Sequence, residues 1–322
     1  MSPKNWFLMT LLFGSLFLVG IACFNFVLDP FSQRDTWELT KYDRVRLNRN
    51  ANVPLWSLLS MRKIDPAVRK ASEVIVLGDS RASLLTASEN DTVFRTRVVN
   101  GQKILNLSLG GGSLKESLSF FEIQNDSADG FAKLKTIVFT VPFNRFCEHE
   151  RPDRISQGRS MSENPLLYYF SAYTLKKSVR SVRKMGKPQE AQTQKDGDRV
   201  LASWADEYSR YDAATVEKRM LKLAKFKQKM DSRNVNVIFY LPPGGASGKQ
   251  FIAEVGLQKE YADFLAKLER IGTVEYWADR TGVDDRTFSY KIGDPIHHDL
   301  GIQVLEKMLS RNERTQTNQQ QL

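Results

Sequence analysis

Cysteine and histidine are scarce in this chain: of 322 residues, two are cysteine and three are histidine. Cys23 lies inside an apolar N-terminal run and Cys147 stands alone far downstream, so no disulfide framework is available. No cysteines or histidines recur at zinc-finger spacing and no aromatic-studded ribonucleoprotein strand is present, which removes the common zinc and RNA-binding modules. A chain with about 290 residues outside its apolar run has enough length for a full core without a metal or disulfide staple. The reading therefore expects no cofactor and no metal. Cys147 reads either as a half-buried core residue or as a thiol nucleophile, His149 lying two residues on and on the same face if both sit in a strand.

Acidic charge is also in short supply. Asp and Glu number 37 against 47 Lys and Arg, leaving a net charge of +10. Such a surface suits nucleic acid, anionic lipid or an anionic envelope polymer, or it serves solubility alone. The N-terminal run argues against nucleic acid. Residues 6–28 are almost continuously apolar, with Asn25 as the one strongly polar member. As a helix they reach roughly 35 Å, enough to cross a hydrocarbon core about 30 Å thick. No small-x-small exit marks a cleavable signal peptide. Gly20-Ile21-Ala22-Cys23 only faintly resembles a lipoprotein box, since apolar residues continue past the cysteine. An uncleaved single-pass anchor is expected. Lys4 precedes the span while Arg34, Lys41, Arg44 and Arg46 follow it. Simple positive-inside counting would put the N-terminus outside, but long domains translocate regardless of charge, so the reading places the large domain outside the cytoplasm.

Beyond the anchor at 1–28, residues 29–71 read as a polar connector. Short apolar, β-branched runs then recur at 73–77, 104–109, 136–141, 235–241 and 273–276, which is how buried parallel strands read. Helical patterns occupy 114–121, 213–230, 258–271 and 302–309. The alternation predicts an α/β domain over 72–312, a parallel sheet covered on both faces. An insertion at about 150–205 interrupts it, with an amphipathic stretch at 166–182 and a Gly, Pro, Gln and Lys-rich run at 184–198. Residues 313–322 read as a disordered tail.

Reactive groups of open parallel sheets collect at the carboxyl ends of strands. The first strand ends in Gly78-Asp79-Ser80-Arg81, where Ser80 is a candidate nucleophile. The second ends in Asn106-Leu-Ser-Leu-Gly-Gly-Gly112, whose glycines allow a backbone to approach a ligand or simply make a tight turn. The third ends in Val141-Pro-Phe-Asn144-Arg145, where Asn144 can offer its amide to an oxyanion or cap a turn. Near the C-terminus stands Asp294-Pro-Ile-His297-His298. A carboxylate three residues before a histidine can accept from imidazole Nδ1–H and leave Nε2 to take a serine proton.

These four segments, in this order, resemble the four sequence blocks of the SGNH (GDSL-type) hydrolases. The match spans about residues 72–310. It implies a flavodoxin-like, three-layer sheet in the order 2-1-3-4-5 and attack by Ser80 on an ester carbonyl. His297 would be the general base, Asp294 its orienter, and the Ser80 N–H, the Gly111 N–H and the Asn144 amide the oxyanion hole. The third block departs from the family pattern: Pro142 stands where Gly is usual, and Arg145 replaces the Asp that follows Asn. The anchored organisation also resembles a narrower group of bacterial envelope proteins, similar to those serving alginate acetylation and teichoic-acid D-alanylation. That likeness implies a membrane-bound O-acyltransferase partner, and as substrate an acylated envelope polysaccharide, polymer or lipid-linked glycan. The leading expectation is a serine esterase or O-acyltransferase on the periplasmic side of the bacterial cytoplasmic membrane. The competing one is a non-catalytic glycan-binding or scaffold protein on the same fold.

Overall fold

The computed structural model describes residues 2–28, 64, 66–86, 95–109, 112–126, 130–147, 155, 164, 169–172, 174–176, 178–179, 205–242, 251–276 and 301–311. Most of the connector, the Gly- and Lys-rich part of the insertion and the C-terminal tail lie outside these residues. The chain divides into two compact units, Met1–Lys63 with Asp153–Glu190, and Ile64–Pro152 with Ala191–Leu322.

The first unit contains α1 (Pro3–Leu28), the one helix among the described residues long and apolar enough to cross a membrane. From Trp6 to Val19 its large side chains are exposed. Cover begins only near its end, at Ile21, Ala22 and Asn25.

The second unit is α/β. Its strands are β1 (Val74–Leu77), β2 (Arg95–Val99), β3 (Gln102–Asn106), β4 (Thr136–Thr140), β5 (Asn236–Leu241) and β6 (Thr273–Tyr276). Its helices include α2 (Pro66–Ala71), α3 (Ser80–Ser83), α4 (Leu114–Asn125), α5 (Asn144–Cys147), α6 (Ala213–Asp231), α7 (Gln258–Ile271) and α8 (301–311). Every residue of β1 and β4 is buried, as strands covered on both faces require. Two helix starts are written in the chain: Ser113 and Glu116 form a reciprocal capping box on α4, and the Asp212 carboxylate accepts from Thr215 N–H at 2.8 Å to open α6.

The sheet runs β2-β3-β1-β4-β5-β6. β3, β1, β4, β5 and β6 are mutually parallel. Counted among themselves in chain order, these five lie 2-1-3-4-5. The expected wholly parallel sheet is corrected at one edge, where β2 pairs antiparallel with β3. The cause is Asn100-Gly101, both at positive φ (50° and 76°), which close a two-residue hairpin between Val99 and Gln102.

Helices cover both faces. On one, Val74, Val76, Ile104, Val138, Ile238 and Tyr240 pack with Ala82, Leu85 and the α8 residues Val304, Leu305, Met308 and Leu309. On the other, Phe139 meets Phe226 of α6 edge-on, and Phe226 meets Phe121 of α4 in the same way. The carboxyl ends of β1 and β4 are thereby held side by side at the point where the strand order reverses, which is where open sheets of this order place their ligands.

Candidate functional site

β1 leads into Gly78, whose φ of +132° and close approach to β4 admit no side chain; a Cβ there would meet Thr140 Cβ at 2.7 Å. The chain then turns through Asp79 into α3, with Ser80 as its first residue. Asp79 caps that turn, its Oδ1 accepting from Arg81 N–H at 3.0 Å and its carbonyl from Ala82 N–H at 3.1 Å. The strand-end placement expected for Ser80 is therefore seen in the backbone.

The segment after β3 continues along β1, with Leu107 N–H donating to the Val76 carbonyl and Leu109 N–H to the Gly78 carbonyl, both at 2.8 Å. Gly112 N–H returns to the Leu109 carbonyl at 2.7 Å. Gly111 lies outside the described residues, as do Asp294 and His297; of the described residues nearest to it, Leu109 is bonded to Gly78 and so lies beside the Ser80 turn. Asn106 is a clamp within this corner: its amide donates to the Ala82 carbonyl (3.0 Å) and Thr86 Oγ1 (2.8 Å), while its oxygen accepts from Ser108 N–H (2.8 Å).

Past β4, Asn144 and Arg145 open α5 and meet the Asp79 corner in a closed ring of five side chains. Arg81 Nη2 donates to Asp79 Oδ2 at 2.6 Å and to Asn144 Oδ1 at 3.0 Å. Asn144 Nδ2 donates to Glu207 Oε2 at 2.5 Å. Arg145 Nη1 donates to Glu207 Oε1 at 3.0 Å, and Arg145 Nε returns to Asp79 Oδ2 at 3.2 Å. The amide of Asn144 has one orientation compatible with this ring, because a guanidinium only donates and a carboxylate only accepts.

Two carboxylates and two guanidiniums balance the charge, and each carboxylate serves more than one donor, the condition under which buried ions are tolerated. Burial pushes the Asp79 carboxyl upward, but the Arg81 and Arg145 guanidiniums overcome it and hold it at about 2. A carboxylate held so low is a poor proton acceptor at neutral pH, so Asp79 does not suit the part of a general base. All three histidines, His149, His297 and His298, lie outside the described residues.

Arg219 of α6 supports the ring from beneath, donating to the carbonyls of Arg145 (3.3 Å) and Phe146 (2.7 Å). Phe143 and Phe146 pack with Tyr208, Tyr261 and Phe264 on its other flank. Burial raises the Tyr208 hydroxyl above its ordinary range.

Cys147 is not in a strand. It ends α5, fully buried, with its thiol 3.4 Å from the Phe143 carbonyl, and burial pushes that thiol up to about 12. The core reading of Cys147 holds and the nucleophile reading loses its basis, because a thiol at 12 supplies no thiolate. Among the described residues no cluster of His, Cys, Asp or Glu could hold a metal ion.

The structure thus brings Ser80 and Asn144 to adjacent strand ends and adds Arg81, Arg145 and Glu207, which the sequence reading gave no role. Arg145 has a signal, its place directly after Asn144 at a strand end. Glu207 has none: it sits in a helical segment, 205–209, just past the insertion expected at about 150–205.

No protein-family model, curated protein or solved structure matches this chain.

Proposed function

We propose that the chain is a membrane-anchored serine esterase or O-acyltransferase of the SGNH type, acting on acyl esters of an envelope glycan or polymer through an acyl-Ser80 intermediate. The observation that carries this reading is the position of Ser80. It is the first residue of α3 after β1, at the strand-order reversal between β1 and β4, with Asn144 opening the turn after the neighbouring strand.

In this reading Ser80 Oγ attacks the ester carbonyl while His297 Nε2 takes its proton, with Asp294 fixing the imidazole tautomer. Negative charge on the carbonyl oxygen is met by the N–H groups of Ser80 and Gly111 and by the Asn144 amide, which keeps one hydrogen after serving Glu207. The tetrahedral centre collapses, the C–O bond to the leaving alcohol breaks, and the imidazolium returns the proton to that alcohol. Water or an acceptor hydroxyl then attacks the acyl-serine by the reverse route, giving hydrolysis or transfer.

The span supports an envelope setting, and its tether suits a polymer or lipid-linked substrate, since anchoring raises local concentration. The domain is placed on the periplasmic side of the bacterial cytoplasmic membrane, beside a membrane-bound O-acyltransferase that delivers the acyl group. Protease digestion of spheroplasts tests the side: cleavage of the large domain is expected, and its protection contradicts it.

The closed ring favours a second reading, a non-catalytic glycan-binding or scaffold protein on the same fold, because Asn144 is fully buried and its amide is engaged at both ends. Turnover of a small neutral ester such as nitrophenyl acetate separates the two. Catalysis requires that Ser80→Ala and His297→Ala each lose several orders of magnitude, on the order of 10⁶ in well-studied triads, with unchanged melting temperature. Equal rates for wild type and both variants would leave the scaffold reading standing.

A further inference from the structure

Asn25 is the one strongly polar side chain in the apolar stretch of α1, and it is fully buried although the helix around it is exposed. Its Nδ2 donates to the Tyr169 carbonyl at 2.6 Å, and its Oδ1 accepts from Ser178 Oγ at 2.8 Å. Both partners come from the insertion and belong to the same compact unit as α1. At the next residue, the Phe26 and Tyr169 rings lie 5.7 Å apart. Ser171 opens the docked segment, its hydroxyl accepting from Thr174 N–H at 3.0 Å and lying 2.7 Å from Thr174 Oγ1. Thr174 and Ser178, four residues apart, are both buried. Small hydroxyl residues at this spacing, joined to an amide side chain across the contact, are the packing chemistry of helices in lipid, where an unpaired amide is costly.

The depth of this contact follows from the length of α1. Trp6 to Asn25 is 20 residues, a rise of about 30 Å, which matches the hydrocarbon core. With Trp6 at one interface, Asn25 reaches the other, and the segment bonded to it sits at the same level. The residues this segment turns outward fit that level. Phe170 is 41% exposed beside a tyrosine, and Ala172 and Lys176, four apart, are exposed on the helical turn. Aromatic residues favour the headgroup boundary, and a lysine there lays its stem along apolar surface and its ammonium among phosphates.

We propose that the described residues between 169 and 179, most of them helical, form a second membrane-contacting element that clamps the exit of α1 through Asn25 and rests on the phospholipid surface with Phe170 at the acyl boundary. The occupant of its outer side is the bilayer itself, continuous with the lipid around α1.

Spin labels on the full-length protein in phospholipid nanodiscs test this. Cys23→Ser removes the exposed thiol, and buried Cys147 stays unlabelled. Labels are placed at Phe170→Cys, at Ala172→Cys, and at Lys225→Cys on the exposed side of α6 as an aqueous reference. Collision with oxygen and with a water-soluble nickel chelate is measured at each site. Positions 170 and 172 should give an oxygen-to-nickel ratio several-fold above that at 225. Adding Asn25→Val, which removes both hydrogen bonds, should lower the ratio at 170 toward the reference. Ratios at 170 and 172 equal to that at 225 would overturn the proposal, as would low accessibility to both reagents, which would mean that protein covers this side. Two label positions keep the test intact should one substitution impair folding.

Discussion

Arg145 Nε lies 3.2 Å from Asp79 Oδ2, so the residue after Asn144 is tied to the residue before Ser80. The ends of β1 and β4 are joined by a buried ion pair as well as by their ladder, and the Ser80 turn is held from both sides.

Breaking the ring should therefore be costly. Asp79→Ala leaves two guanidiniums facing a site that has lost its carboxylate, and the loss of one partner from a buried pair is worth about 3–5 kcal/mol. Urea unfolding of the second unit's sheet, followed by circular dichroism, should show a fall of that order. A change within experimental error would mean that the ring carries no stability.

Asn144→Asp should be worse than Asn144→Ala. The aspartate would set a second carboxylate against Glu207 Oε2, now 2.5 Å from the amide nitrogen, in a fully buried site. The expected order of melting temperatures is wild type, then Ala, then Asp. In the catalytic reading Asn144→Ala also slows turnover roughly 10²–10³-fold through loss of an oxyanion donor.

Acid should release the same stabilisation. The folded Asp79 carboxyl is held at about 2, below its ordinary value near 3.9. A depressed carboxylate contributes stability that is fully present above the unfolded value and is lost as pH falls through the folded one. The window is therefore between about pH 4 and pH 2, and the contribution is on the order of 2 kcal/mol. Unfolding free energies measured across that window should fall less steeply in Asp79→Asn than in wild type; parallel curves would contradict this.

The large architecture was legible because buried parallel strands announce themselves. The runs at 136–141 and 235–241 are rich in apolar and β-branched residues, with only Thr136, Thr140 and Asn236 polar, and β4 and β5 lie within them. β2 was not read because Arg95 and Arg97 break its apolar pattern and Val98 is 63% exposed, as an edge strand permits. The signal that could have found it was Asn100-Gly101 following Val98-Val99. The Ser80 corner was legible from Gly78-Asp79-Ser80 because local turn chemistry is written locally. Glu207 was not, since its bond to Asn144 spans 63 residues and nothing in its own segment marks it.

Gly78 and Gly101 should respond differently to alanine. At Gly101 a Cβ meets nothing within 4 Å, so the cost is that of the left-handed backbone alone, about 1–2 kcal/mol. At Gly78, whose φ of +132° lies in a region essentially reserved for glycine, the backbone penalty is joined by a 2.7 Å clash with Thr140 Cβ. Gly78→Ala should lower the melting temperature more, and it should also disturb Ser80, whereas Gly101→Ala should leave any esterase activity unchanged.

Cys147 should be inert in the folded protein. Iodoacetamide at pH 8 in detergent should spare Cys147 in the folded protein and alkylate it once denaturant is added. Rapid modification of Cys147 under native conditions would contradict the burial assigned to it.

The central claim, that Ser80 is a nucleophile, is tested most directly by covalent trapping with a fluorophosphonate and peptide mapping of the adduct by mass spectrometry. Attack by an activated serine expels fluoride and leaves a stable phosphonyl ester on that oxygen. The account predicts a single adduct on Ser80, absent in Ser80→Ala and strongly slowed in His297→Ala. Folded protein that forms no adduct at Ser80, or one that labels equally in Ser80→Ala, would contradict it.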